Sequence, residues 1–163
     1  MLVLIVEDEP LTAVSLELEL ELAGHHVLGP AADSDHALRL ATQHRPDVAL
    51  IDIGLHGNAQ GVELARTLRS QYDVAVLFVT MTRGTALENQ DAAVGVITKP
   101  FDPDDVLDSV EIANGLKHGK QPAPDSLPGS LELFSTQPQS RCEEPNPRAA
   151  VANSSTTRRP ILQ

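Results

Sequence analysis

Five residues in this 163-residue chain have the types and the spacing to do chemistry together: Glu7, Asp8, Asp52, Thr80 and Lys99. Each follows or closes a short apolar run. Residues 2–6 lead into Glu7 and Asp8, 48–51 into Asp52, 74–79 into Thr80, and 94–98 into Lys99. A charge-free run of aliphatic and β-branched residues reads as a strand buried on both faces, as in a parallel sheet. The C-terminal ends of such strands share one edge, where open α/β folds place their ligands. One acid after a strand is ordinarily a turn former. Complementary groups at four matching strand ends are not explained that way.

The residue types suggest the reaction. Three crowded carboxylates repel, which raises a pKa or demands a cation. A sparse, oxygen-only set suits Mg²⁺ with several retained waters. That ion would neutralise an incoming phosphoryl group and leave an Asp free to attack phosphorus. The Lys99 ammonium and the Thr80 hydroxyl would then grip the phosphoryl oxygens. No other cofactor is expected.

The intervening segments must bring these ends together. Pro10 opens a helix over 10–23, closed by Gly24. Its Leu and Glu residues alternate over 17–22, a strand-like period, but both are strong helix formers. Leu11, Val14, Leu18 and Leu22 fit one stripe, which is expected to face the core. Val27 and Leu28 form a second strand, closed by Gly29-Pro30, and Asp33 or Ser34 caps a helix to Arg45. A glycine-rich loop over 54–61 follows strand three, and a helix carries Val62, Leu64, Ala65 and Leu68 to Tyr72. A short helix spans 85–92, and Asp102-Pro103 opens a fifth with Val106, Leu107, Val110 and Ala113. This (βα)₅ alternation predicts an α/β fold, a doubly wound parallel sheet with helices on both faces.

Composition bounds the rest. Hydrophobic residues are 41% and aromatics 2%, so the core is built from aliphatic side chains. The net charge of −11 argues against nucleic-acid binding, which needs Lys and Arg on phosphates. Cys142 is the single cysteine, which fits a reducing compartment. The apolar start meets acids at Glu7 without a basic segment before it, which reads as neither signal peptide nor membrane span. A cytoplasmic location is expected. Seven of the twelve prolines lie after residue 118, so a domain over 1–118 and a disordered Pro/Ser-rich tail over 119–163 are expected. Within that tail, residues 127–134 offer a short docking motif as an alternative.

The segments Ile5-Val6-Glu7-Asp8-Glu9-Pro10, Leu50-Ile51-Asp52, Val79-Thr80 and Thr98-Lys99-Pro100-Phe101 resemble the receiver domain of bacterial two-component response regulators. The resemblance covers 1–118 and implies the flavodoxin-like strand order 2-1-3-4-5. It implies that Asp52 is the phosphoacceptor and that Asp8, Asp52 and the Gly54 carbonyl bind Mg²⁺. Glu7 would be the second acid, acting through water. Thr80 and Lys99 would be the switch and phosphate-binding residues, and the Lys99-Pro100 bond would be cis. The chain departs from the pattern at Met81, where a small residue is usual, and at Val96, where an aromatic is usual. The loop after Asp52 lacks the common Pro and carries His56, read as a solvated loop residue.

The implied partners are a sensor histidine kinase or a histidine phosphotransfer protein, and a downstream protein. The downstream contact would use the helix four–strand five–helix five face. A homodimer is compatible with this, and neither nucleic acid nor membrane is expected as a partner. The short tail suggests a stand-alone receiver. It would accept a phosphoryl group, and catalyse its gain and loss, without being an enzyme for an outside substrate. Two other classes compete. A binding module working without phosphorylation fits Met81 and Val96. An aspartate-dependent phosphatase commonly wants a second Asp where Gly54 stands.

Overall fold

The strands lie in one sheet, in the order β2-β1-β3-β4-β5-β6. The computed structural model describes residues 1–57 and 60–134. In chain order the elements are β1 (Leu2–Val6), α1 (Pro10–Leu22), β2 (His26–Ala31), α2 (Ser34–His44), β3 (Val48–Asp52) and α3 (Gln60–Tyr72). They continue with β4 (Ala75–Thr80), α4 (Arg83–Glu88), β5 (Gly95–Thr98), α5 (Pro103–Lys117) and β6 (Leu131–Leu133). The first five strands are parallel, and β6 runs antiparallel to β5. The expected α/β sheet with order 2-1-3-4-5 is therefore present, with one strand added.

Alternation along each strand divides the core. In β3, Val48 and Leu50 face α1 and α5, where they meet Leu16, Leu20, Val106 and Val110. Ala49 and Ile51 face the other way, toward Ala37 and Ala41 of α2 and Leu64 and Leu68 of α3. Both layers are fully buried. Such strands lack the hydrophobic/polar alternation of a half-exposed sheet because neither face meets water.

Local sequence fixes the element ends. Pro10 begins α1, and the Asp33 carboxylate accepts a 2.7 Å hydrogen bond from the His36 amide to cap α2. The Gly29-Pro30 pair does not end β2. The strand continues to Ala31, with a register shift against β1 between Leu4 and Val6. Gly29 has φ +100°, and a Cβ there would stand 2.8 Å from the Ile5 carbonyl oxygen. The shift therefore requires glycine. The short helix near 85–92 is α4 followed by a 3₁₀ turn at Gln90–Ala92.

Two further expectations need correction. The stripe Leu11, Val14, Leu18 and Leu22 is exposed rather than buried, and Leu11 is 82% accessible. Ala13, Leu16 and Leu20 face the core instead. Successive helical residues are about 100° apart, so leucines at every second position fall on opposite sides. Leu16 and Leu20 share one side, and Leu18 and Leu22 the other. The sequence offers two apolar stripes, and packing onto the sheet selects one.

The second correction concerns the boundary at residue 118. The described part of the expected disordered tail, 119–134, contains a 3₁₀ turn at Pro124–Ser126 and the strand β6. Leu131 and Phe134 are each 7% exposed and enter opposite core layers. Burying each stabilises the seat by about 1.5–3 kcal/mol before the entropy of ordering is subtracted. The remainder of that expectation, 135–163, lies outside the described residues, as does Cys142.

The α1 register can be tested by truncation. Leu20→Ala should lower unfolding free energy in urea by about 2–5 kcal/mol, as a cavity in the core does. Leu18→Ala should change it by less than about 0.5 kcal/mol, as at an exposed site. Equal losses at both positions would refute the assigned face.

Candidate functional site

The strand order reverses direction between β1 and β3, because the chain steps outward to β2 and then returns across β1. That switch point opens a crevice at the C-terminal strand ends. Glu7 and Asp8 follow β1, and Asp52 closes β3. One carboxylate oxygen from each lies within 4.8 Å of the others. Lys99, following β5, reaches across β4 to this group. Its Nζ stands 2.8 Å from Glu7 Oε2 and 3.0 Å from Asp52 Oδ2.

Main-chain donors complete the shell. The Gly54 amide donates to Asp52 Oδ1 at 2.7 Å, and the Glu9 amide to Glu7 Oε1 at 3.1 Å. The His56 amide donates to Asp8 Oδ2 at 2.9 Å, and the ring Nδ1 lies 3.5 Å from the same oxygen. His56 thus belongs to the edge of the site, which the sequence did not reveal. The available signal was its place in the loop that leaves Asp52. That loop turns back over Asp8, and His56 takes φ 51° as it does so.

Charge and burial set the electrostatics. Glu7 is 3% exposed. Burial pushes its carboxyl above the usual carboxylate range, and the hydrogen bonds from Lys99 and the Glu9 amide offset part of that rise. Burial pulls the Lys99 ammonium down, but its bonds to Glu7 and Asp52 outweigh this and raise it above the ordinary lysine value. With all four groups ionised, one cation faces three carboxylates, a formal excess of two negative charges. The donor set is oxygen-only and its charge excess matches a divalent ion. Glu7, Asp8 and Asp52 therefore fit Mg²⁺.

Thr80 stands apart from the cluster. Its hydroxyl donates to the Thr82 carbonyl and accepts from the Thr82 amide, both at 3.2 Å. It is 6% exposed, one residue beyond the Asp52–Val79 register pair. Of the five residues picked for chemistry, Glu7, Asp8 and Asp52 cluster with Lys99 bonded to two of them, and the Thr80 hydroxyl is engaged instead by the turn into α4. Gly54 touches the cluster through its amide. Met81 is 76% exposed and points away from the core, whereas Val96 is fully buried in β5. The Lys99-Pro100 bond is cis, as the resemblance implied.

Five parallel strands with an acid triad and a lysine at the switch-point edge define a receiver domain. The chain belongs to the response regulator receiver domain family, whose model matches residues 3–111. It is 36% identical over 107 residues to the phyllosphere-induced regulator PhyR of Methylorubrum extorquens, covering 64% of this chain and 40% of that protein. It is 31% identical over 114 residues to the transcriptional regulatory protein PdtaR of Mycobacterium tuberculosis, covering 68% of this chain and 55% of the relative. The chain thus spans about half the length of these relatives. Among solved structures it is similar to the signal receiver domain of a modulated diguanylate cyclase from Desulfovibrio desulfuricans. That likeness has TM-score 0.67 and 35% identity over 74% of this chain and 98% of the other. The chemotaxis response regulator CheY4 of Vibrio cholerae gives TM-score 0.62 and 27% identity over 69% and 97%. The curated relatives are response regulators, so a receiver of two-component signalling is the class to which this chain belongs.

The raised Glu7 pKa has a defined sign. A carboxyl with a folded pKa above its unfolded value binds more protons when folded. Its contribution to stability is full below the ordinary value of 4.5 and is lost as pH rises through the folded pKa. In chelator-treated protein, Glu7→Gln should flatten this part of the pH–stability curve. Parallel curves for parent and variant would contradict the burial effect.

Proposed function

We propose that Asp52 accepts a phosphoryl group, in a Mg²⁺-dependent reaction, from a phosphohistidine on a sensor histidine kinase or histidine phosphotransfer protein. The observation that carries this reading is the Lys99 ammonium, 3.0 Å from Asp52 and 2.8 Å from Glu7, beside the three-carboxylate cluster. An Asp52 oxygen forms the new bond to phosphorus, the phosphorus–nitrogen bond breaks, and the departing imidazole takes up a proton. Mg²⁺ would be held by Asp8 and Asp52 with the Gly54 carbonyl, with Glu7 acting through water, and would supply charge neutralisation on the phosphoryl oxygens. Lys99 leaves its carboxylate partners for those oxygens. Thr80 exchanges its Thr82 contacts for a phosphoryl oxygen.

The protein is on this reading a phosphoacceptor and not an enzyme for an outside substrate. Its signal leaves through protein–protein contacts. The stripe Leu11, Val14, Leu18 and Leu22 supports that view, because it lies exposed on the helix that begins two residues after Asp8. No helix among the described residues is long and apolar enough to cross a membrane, which suits a cytoplasmic signalling role.

A second reading is a module that binds its partner without phosphorylation. It is favoured by Val96, which has no ring to rotate and is fully buried. The two readings part in one experiment. With Mg²⁺ and acetyl phosphate, the intact protein should gain the mass of one phosphoryl group, and Asp52→Asn should not. Lys99→Ala should slow the gain by about 10²-fold, the usual effect of removing one donor from a developing charge. A gain that survives Asp52→Asn sinks the first reading. Partner capture unchanged by Asp52→Ala supports the second.

A further inference from the structure

The edge of β5 is covered by a segment of the chain's own C-terminal part. This strand, β6, is three residues long and antiparallel, on a sheet otherwise parallel. Its seat is shaped for it. A Cβ on Gly95 would meet the Glu132 carbonyl oxygen at 2.7 Å and Leu133 Cα at 3.3 Å. The three nearest atoms all belong to β6, so the missing side chain at 95 is what admits the strand. Leu131 and Phe134 anchor it on opposite core layers. The Ser130 carbonyl accepts from the Thr98 amide at 3.0 Å, and the Phe134 amide donates to Val94 O at 2.9 Å. Between these bonds Glu132 pairs with Arg83 of α4.

The seat is nevertheless a light one. The connection from Gly119 to Gly129 is mostly exposed. The Ser130 hydroxyl is buried without a hydrogen-bond partner. The β5 edge lies between α4 and α5, so the seat is bordered by Arg83 of α4 on one side and by α5 on the other.

We propose that residues 127–134 are a displaceable cover of the β5 edge, and that an extended segment of a partner protein takes their place. The chemistry of the seat defines that segment. It pairs antiparallel to β5, carries apolar residues at the positions of Leu131 and Phe134, and presents a carboxylate to Arg83. Its entry is linked to the acid site through the chain itself. Thr98 precedes Lys99 directly. Arg83 follows Thr82, whose main chain holds the Thr80 hydroxyl. Capture of Thr80 by a phosphoryl oxygen frees Thr82 and disturbs the Arg83–Glu132 pair. This linkage rests on the proposed phosphorylation of Asp52, whereas the displaceable cover does not.

The probe is a fluorescent peptide with the sequence of residues 127–134. The full chain should bind it at least about tenfold more weakly than the Leu131→Ser/Phe134→Ser variant, because a tethered segment competes at high effective concentration. Adding Gly95→Val to that variant should abolish binding, and replacing Glu by Lys in the peptide should weaken it. Equal binding by parent and variant, or binding that survives Gly95→Val, overturns the proposal. A dimer of the parent that the peptide dissociates would name a second copy as the occupant and likewise overturn it. Amide exchange in the unaltered chain needs no variant. The Phe134 and Thr98 amides should exchange at least about tenfold faster than the Lys99 amide, which is bonded to the Thr80 carbonyl. Equal rates overturn the cover. Beryllofluoride should accelerate Phe134 exchange in the parent and not in Asp52→Asn. Fast exchange without that response removes the linkage and leaves the cover standing.

Discussion

The contact on which the rest of this structure depends is the Lys99 ammonium between Glu7 and Asp52. Glu7 is almost wholly removed from water, and an unpaired carboxylate there would be costly. Lys99 supplies the counter-charge, but only if β5 ends level with β1 and β3. The register of three parallel pairings, β1 on β3, β3 on β4 and β4 on β5, sets that level. A slip of two residues in any of them would move the ammonium several ångströms, since each residue adds about 3.3 Å along a strand. The acid site and the sheet therefore specify one another.

Much of this was legible in the sequence because strands buried on both faces leave a simple signature. Runs such as 48–51 are apolar throughout, and they stop where the charged residue begins. The ends of β1, β3, β4 and β5, though not of β2, could be read to within one or two residues, and with them the meeting of Glu7, Asp8, Asp52 and Lys99. What could not be read was orientation within a helix that has two apolar stripes. Nothing local distinguishes Leu16 and Leu20 from Leu18 and Leu22. The choice is made by how α1 lies on β1 and β3, a tertiary fact. The same holds for β6. Three residues among prolines and glycines carry too little periodicity to declare a strand, and the feature that seats them, Gly95, is more than thirty residues away in sequence.

The site shows a similar division. Residue types at strand ends pointed to the charged cluster, but the state of Thr80 and the position of His56 depend on loops. The Thr80 hydroxyl is engaged by the turn at Thr82, and the His56 amide by Asp8. Such contacts follow from backbone paths, for which the sequence offers few rules beyond turn preference. The membership of the chain in the receiver family rests on sheet, switch point and acid cluster together. Any one of these is shared with unrelated proteins.

The leucines of α1 have a consequence beyond packing. Because Leu16 and Leu20 are committed inward while Leu18 and Leu22 face outward, the helix separates two kinds of selection. Substitutions on the inner side are answerable to stability, whereas those on the outer side are answerable to recognition only on the proposed function. A chain built this way can vary its exposed leucines without loosening its fold.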